Sequence, residues 1–526
     1  MPKLLSENTM IRKSQLLGIC LIFLLLGAAI SACSQAIELS APTEPAQEDT
    51  QSLPTRSAAQ DKPEVQATIS DLDDFEMLYS LIGENEVDSN EVIDAILSTG
   101  DERFIPVFIE LLRASDIGIV NPAAGWYYVE ILKALSGKPA LEGWADWVEW
   151  YGKTKIQPPE GVTGWKGVLL GRIDPGFAAF LQDEYPVGIR PEEIVWGGVQ
   201  VDGIPALDNP KMIPAEQADY LLPDEAVFGI SLNGDSRAYP LRIMDWHEMA
   251  NDVIGGVPVS LAYCTLCGAG IAFDGRISNS DSARYDFGSS GFLYRSNKLM
   301  YDRQTRTLWN QFTGEPVLGP LADQDIRLEL LPVVLTTWEA WQFQHPKTVV
   351  LEIDTGFDRP YEIGAAYADY FADDGTMFPV WQRSDLLPAK ERIYAMRVGG
   401  VPKAYPLDTL VDQVVVNDQI GDTAIVLIAQ KGIVNSQGSS YRSLPSSDPL
   451  TYQSGAEVRA YLRGDETFVS GKGLDQVLDS NGLSWMVTEE ALVGANGDTL
   501  ARLPGHLAYW FGWYSFFPHT LMYEVE

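Results

Sequence analysis

Cysteine and histidine are scarce in this chain. Four of each are spread over 526 residues. So few cysteines cannot make a disulfide-stapled scaffold, and the length gives ample room for ordinary apolar cores. Basic residues are also few, 37 against 73 acidic ones, for a formal charge of -36. That balance lacks the basic face that displaces counterions from nucleic acid, so nucleic-acid binding is excluded. No G-x-S-x-G elbow, Walker loop or dinucleotide fingerprint is present. What is abundant is apolar: 46% of residues are hydrophobic and 10% aromatic, the composition of a folded protein.

The one long apolar run lies near the start. Ile11-Arg12-Lys13 precede LLGICLIFLLLGAAI, and Ser31-Ala32-Cys33 follow. A charged start, an apolar stretch and small residues form an export signal. Ile30-Ser31-Ala32-Cys33 resembles the lipobox of bacterial lipoproteins, which implies cleavage before Cys33 and a lipid on that residue. The expected place is the cell envelope, on the extracytoplasmic side, with the membrane as a partner through the lipid. Cys20 leaves with the signal, so the body keeps only Cys264 and Cys267.

The expected architecture is α+β and multidomain. After a signal peptide (1–33) comes a tether (34–68) rich in Ser, Pro, Gln and Glu, without apolar periodicity. Residues 69–157 read as short helices resembling HEAT-type repeats, a packing or docking module for a protein partner. Asp88 and Ser89 cap one helix, and Phe104, Phe108, Leu111 and Leu112 share a face of another. After Pro158-Pro159 the chain reads as β-rich, in two lobes, 158–375 and 376–526. The lobes follow from an internal repeat: 227–264 aligns without gaps to 393–430, an offset of 166. Ala238-Tyr239-Pro240-Leu241 matches Ala404-Tyr405-Pro406-Leu407, and Asn251-Asp252 matches Asn417-Asp418. Trp309 is expected to answer Trp485, and TWEAWQFQHP (337–346) the WFGWYSFFP tail (510–518).

Residues kept in both lobes read as framework; residues found in one are candidates for chemistry. His247, Glu248, Cys264 and Cys267 stand where the second lobe has Gln413, Val414, Gln430 and Ile433. Two thiols and an imidazole are three ligands for copper or zinc. Cys-x-x-Cys-Gly resembles the metal-binding knuckle of rubredoxins and zinc ribbons. Met300, favouring copper, or Asp302, favouring zinc, is a candidate fourth ligand, with His345 a further one; Glu248 or Asp302 would move protons beside the metal. A disulfide, a redox pair and inert thiols remain alternatives for the cysteines. So do two other functions: a ligand-binding protein with a groove between its lobes, and a scaffold acting through the helical module.

DGIPALDNPK (202–211), SRAYPLRIMDWHEMAND (236–252), GGVPVSLAYCTLCGAG (255–270), GFLYRSNKLMYDRQTRTLWNQFTGE (291–315) and LTTWEAW (335–341) occur in order. On these segments the chain resembles a bacterial family known as domain of unknown function 3179. The resemblance is firm over about 195–350 and is expected to extend through the second lobe. It implies no established activity. The family commonly has proline after the first cysteine, where this chain has Thr265.

Overall fold

The computed structural model describes residues 72–277, 284–443, 448–473 and 475–524. The expected signal peptide, tether and lipidated Cys33 lie outside the described residues.

Helices come first. They are α1 (Asp74–Leu81), α2 (Ser89–Thr99), α3 (Ile105–Asp116), α4 (Gly125–Ser136), α5 (Trp144–Tyr151), α6 (Val162–Gly171) and α7 (Pro175–Phe180). Asp88 caps α2, accepting from the Asn90 N–H at 2.8 Å, and Gly100 closes it in the left-handed conformation. Phe104, Phe108, Leu111 and Leu112 are all buried in one core with Trp147 and Trp165. The helical part therefore continues past Pro158-Pro159, where β structure was expected. Val162, Trp165 and Leu169 do keep helical spacing, but Gly164 and Gly167 between them, and Gly171 after them, read as turn residues. Gly167 serves close packing instead: a Cβ there would lie 2.4 Å from the Leu181 carbonyl oxygen.

The rest is mainly β. The first lobe includes β1 (Ala226–Leu232), β2 (Asp235–Pro240), α8 (Leu241–His247), β3 (Met249–Ile254), β4 (Val257–Cys264), β5 (Ala269–Ile277), β6 (Phe287–Tyr294), β7 (Asn297–Asp302), β8 (Leu308–Asn310), β9 (Val334–Thr337), α9 (Trp338–Gln344) and β10 (Val349–Leu351). The second lobe includes β11 (Arg392–Val398), β12 (Val401–Pro406), α10 (Leu407–Gln413), β13 (Val415–Ile420), β14 (Thr423–Ala429), β15 (Val458–Leu462), β16 (His506–Tyr509), α11 (Trp510–Phe516) and β17 (Leu521–Met522).

The repeat is structural down to single bonds. β9-β1-β2-β10 and β16-β11-β12-β17 have the same strand order, with the last strand parallel to its neighbour in both. The Tyr239 hydroxyl donates to Asp252 at 2.6 Å, and Tyr405 to Asp418 at 2.7 Å. Asn251 exchanges two hydrogen bonds with the Phe287 backbone, as Asn417 does with Phe468. Trp309 Nε1 donates to Asp302 and Trp485 Nε1 to Asp479. Trp341 in α9 and Trp513 in α11 each reach a threonine seven residues on. The conserved tyrosine and asparagine thus hold the same strands together twice.

The lobes differ after β4 and β14. In the first lobe a four-residue turn leads straight to β5, with Cys264 opposite Ala269. In the second, residues 430–457 intervene before β15, and part of them forms a hairpin (Val434–Gly438 with Leu450–Gly455). Each device docks on the other lobe. The cysteine turn meets the β16–α11 corner, where the Tyr509 N–H donates to the Cys267 carbonyl at 2.7 Å. The excursion meets the β9–α9 corner, where Glu457 accepts from Thr336 and from Gln344.

The candidate functional site

Cys264 ends β4 and Cys267 lies in the turn to β5. The turn is closed by backbone bonds from Cys267 N–H to the Cys264 carbonyl and from Gly268 N–H to the Thr265 carbonyl, both 3.2 Å. Gly268 has a φ of +59°, and a Cβ there would sit 2.8 Å from Arg392 Nη1, so both backbone and space call for glycine. Gln311 clamps the hairpin, its amide donating to the carbonyls of Ala262 and Ala269 at 2.8 and 2.9 Å.

Both cysteines are free thiols, so the disulfide expected as one alternative is absent. They are 1% and 0% exposed. Their environments differ. Burial pushes the Cys264 thiol up, yet hydrogen bonds from the Cys267 thiol and from the backbone N–H groups of Lys298 and Cys267 outweigh it. The result is a thiol below its ordinary value. Cys267 is pushed well above the ordinary value, first by burial and then by its role as donor to Cys264. The Ser296 carbonyl, 3.2 Å from Cys267 Sγ, is a second acceptor for that proton. Asn297 Nδ2 lies 3.6 Å from the same sulfur and is held at 2.7 Å by Gln311.

Beside the turn is a buried charged pair. Lys298 Nζ lies 3.1 Å from Glu248 Oε2, and Thr265, between the cysteines, donates to Glu248 Oε1 at 2.8 Å. Residue type signalled Glu248; Lys298 was missed, because nothing in the spacing ties β7 to this turn, and Thr265 stood out only as a departure from the family's usual proline.

The structure does not bring His247 to the sulfurs. Its Nδ1 is 2.8 Å from the Pro205 carbonyl and its Nε2 is 2.5 Å from the Tyr361 hydroxyl. With Nδ1–H donating and Nε2 accepting, the neutral ring has no lone pair left for a metal. The ring also packs on Phe357, at 5.2 Å between centroids, and burial lowers its pKa to about 4. Met300, on β7, is fully buried in the same apolar cluster as both cysteines. Asp302 caps a turn, bonded to Thr305 and Trp309. His345 packs against Trp341 with ring centroids 3.9 Å apart and the planes tilted by 38°. Among the described residues, no three His, Cys, Asp or Glu side chains are grouped so as to hold a metal ion.

A second polar cluster adjoins the first. Asp245 of α8, Tyr263 of β4 and Arg392 of β11 line a cleft between the lobes, closed by Ser436, Tyr452 and Ser454 of the second-lobe hairpin. Sequence reasoning missed it, because its two halves come from different lobes.

A family described as "Protein of unknown function (DUF3179)" matches residues 201–520, which takes in both lobes and both clusters. No curated protein and no solved structure matches the chain.

Proposed function

Since the chain belongs to the DUF3179 family of proteins of unknown function, we propose its working centre from the side chains: the Cys264–Cys267 dithiol, handling copper(I). On this reading the protein is exported and lipid-anchored through Cys33, as the start of its sequence suggests, and acts in the cell envelope. The carrying observation is the asymmetry of the two sulfurs. Cys264 is surrounded by donors that favour thiolate, and its neighbour keeps a proton until a metal displaces it. Thiolate and thioether donors select copper(I), and Met300 shares the cysteines' cluster. Zinc takes four ligands in a structural site, and with His247 and Asp302 bound elsewhere the donors near the pair fall short of that.

The test is elemental analysis of protein purified without a histidine tag and exposed to copper(I) under anaerobic, reducing conditions. One copper per chain is expected, lost in Cys264→Ser/Cys267→Ser and weakened in Met300→Leu. No copper in the wild type, or equal copper in the double serine variant, removes the proposal.

The opposed acidities also favour a second reading, thiol–disulfide exchange. Cys264 thiolate attacks one sulfur of a substrate disulfide and expels a thiolate that takes up a proton. Cys267, on losing its proton, then attacks Cys264 Sγ, closing the Cys264–Cys267 bond and releasing the second substrate thiol. Copper ranks first because both sulfurs are buried, which suits a small ion better than a disulfide substrate. Rapid oxidation of the pair by a small disulfide, in protein that takes up no copper, reverses that ranking.

A further inference from the structure

We infer that the outer edge of β13 is a docking site for an extended segment of a partner protein. The segment lies parallel to the strand and presents an apolar residue followed by an acidic one. The inference is independent of the dithiol, which belongs to the other lobe.

The duplication carries it, because lobe one shows the same edge already filled. There a short strand (Leu207–Asp208) adds in parallel to β3, with Leu207 opposite Ala250 and Asp208 opposite Asn251. The Asn209 N–H donates to the Asn251 carbonyl at 2.7 Å, and Asn251 Nδ2 donates to Asp208 Oδ1 at 2.8 Å. Leu207 is buried in the apolar core. With this strand in place Met249 and Asn251 are 0% and 1% exposed.

In lobe two the edge is built and left open. β13 and β14 form the same tight hairpin as β3 and β4, closed by Ile420 opposite Thr423 as by Ile254 opposite Val257. The closing pair bonds inward and the pairs alternate, so the N–H and carbonyl of Asn417 point outward, as those of Asn251 do. β13 ends its sheet, paired among the described residues with β14 alone. Val415 is half-buried and Asn417 exposed, where Met249 and Asn251 are sealed. Asn417 Nδ2 donates to the Phe468 carbonyl at 2.8 Å; the second bond that Asn251 makes, to Asp208, has no counterpart. Counting on 166 residues from Leu207 and Asp208 reaches Asp373 and Asp374, which follow a short helix (Ala368–Ala372) and belong to no strand. The chain therefore supplies no second sealing strand from that position. An open edge of this kind is a template for another chain.

The surroundings set the chemistry of the occupant. The spare Asn417 amide hydrogen calls for an acceptor where lobe one places the Asp208 carboxylate. Arg463 reaches the same strand, its Nε donating to the Asp418 carbonyl at 3.4 Å, and among the described residues no carboxylate lies within ion-pairing distance of it. Val469 follows the Phe468 that Asn417 holds, and at 61% exposed it offers apolar surface beside the edge. Backbone bonds would supply the affinity and the alternating side chains the selectivity.

The probe is the lobe-one occupant itself, a fluorescent peptide Pro-Ala-Leu-Asp-Asn-Pro-Lys (residues 205–211), titrated with the full chain and followed by anisotropy. Binding is expected. Methylating the backbone nitrogen of the peptide's asparagine removes the N–H that meets the Asn417 carbonyl, and is expected to weaken binding about fivefold or more. Lysine in place of the peptide's aspartate is expected to weaken it at least as much. Asn417→Ala keeps the backbone edge but loses the spare amide hydrogen, and is expected to weaken the peptide about threefold or more. The inference is overturned if the peptide does not bind, or if the methylated or lysine peptide binds as well. It is also overturned if Asn417→Ala binds unchanged, which would mean that the peptide has displaced its counterpart in lobe one. A dimer in sedimentation that the peptide does not dissociate would put a second copy on the edge and overturn it too.

Discussion

Lys298 Nζ and Glu248 Oε2 meet at 3.1 Å in the interior, both side chains almost wholly out of water. Glu248 ends α8 with a φ of +54°, and at the matching position of the second lobe Val414 has a φ of +66°. The same backbone bend thus carries a charge in one lobe and an isopropyl group in the other. The charge belongs to the lobe with the cysteines and steadies Thr265 between them.

Removing one partner of this pair leaves the other buried and uncompensated. Lys298→Met is expected to cost about 3–5 kcal/mol of folding stability. Adding Glu248→Val, the residue of the second lobe, is expected to recover much of that loss, because no charge then remains buried. Urea denaturation of the single and double variants checks both; a single-variant cost below about 1 kcal/mol contradicts the account.

The two thiols are expected to titrate apart. Following thiolate absorbance in the ultraviolet against pH, the wild type should show one group below the ordinary thiol range and one far above it. Cys267→Ala removes the S–H donor, so the Cys264 titration moves up. Cys264→Ala relieves Cys267 of its donor role, so that titration moves down while burial keeps it raised. Identical titrations of Cys264 in wild type and Cys267→Ala would disprove the donation.

His247 makes stability depend on pH. Its folded pKa is lowered to about 4, below the ordinary value of 6.5, because the buried ring is held neutral. Its contribution is complete above pH 6.5 and is lost as pH falls from there toward 4, about 3 kcal/mol at the limit. His247→Gln is expected to lower stability at neutral pH and to flatten the fall between pH 6.5 and 4 by one proton's worth of slope. An unchanged slope would place the ring in water rather than between Pro205 and Tyr361.

The two repeat asparagines offer a matched comparison. Asn251 is buried and also accepts from Ser260, whereas Asn417 makes its two backbone bonds at an exposed position. Asn251→Ala strands buried backbone groups and is expected to cost about 2–4 kcal/mol; at Asn417 water replaces the lost partners and the cost falls to about 1 kcal/mol or less. Equal costs in thermal or urea unfolding would refute the reading that burial makes the difference.

The duplication was legible because its markers act locally. The tyrosine of each Ala-Tyr-Pro-Leu segment and the aspartate thirteen residues on bond between two strands joined by one short helix, so sequence spacing is already spatial spacing. The helices at 162–180 were harder to read, since glycines that permit close helix packing look, one by one, like glycines that end helices.

The proposed three-ligand site was not legible in the same way. His247 is only 17 residues from Cys264, yet its ring is captured by Pro205 and Tyr361, 42 and 114 residues distant. Residue type and local order in the sequence determined the helical start, the doubled β body, the family and the tight cysteine turn, because those rest on short-range periodicity and on turns whose backbone demands glycine. Only the tertiary structure decided where the histidine points, which charges surround the sulfurs, and that Asp245 and Arg392 face one cleft. Those depend on contacts between distant segments, where burial and the search for hydrogen-bond partners, rather than spacing along the chain, choose the neighbour.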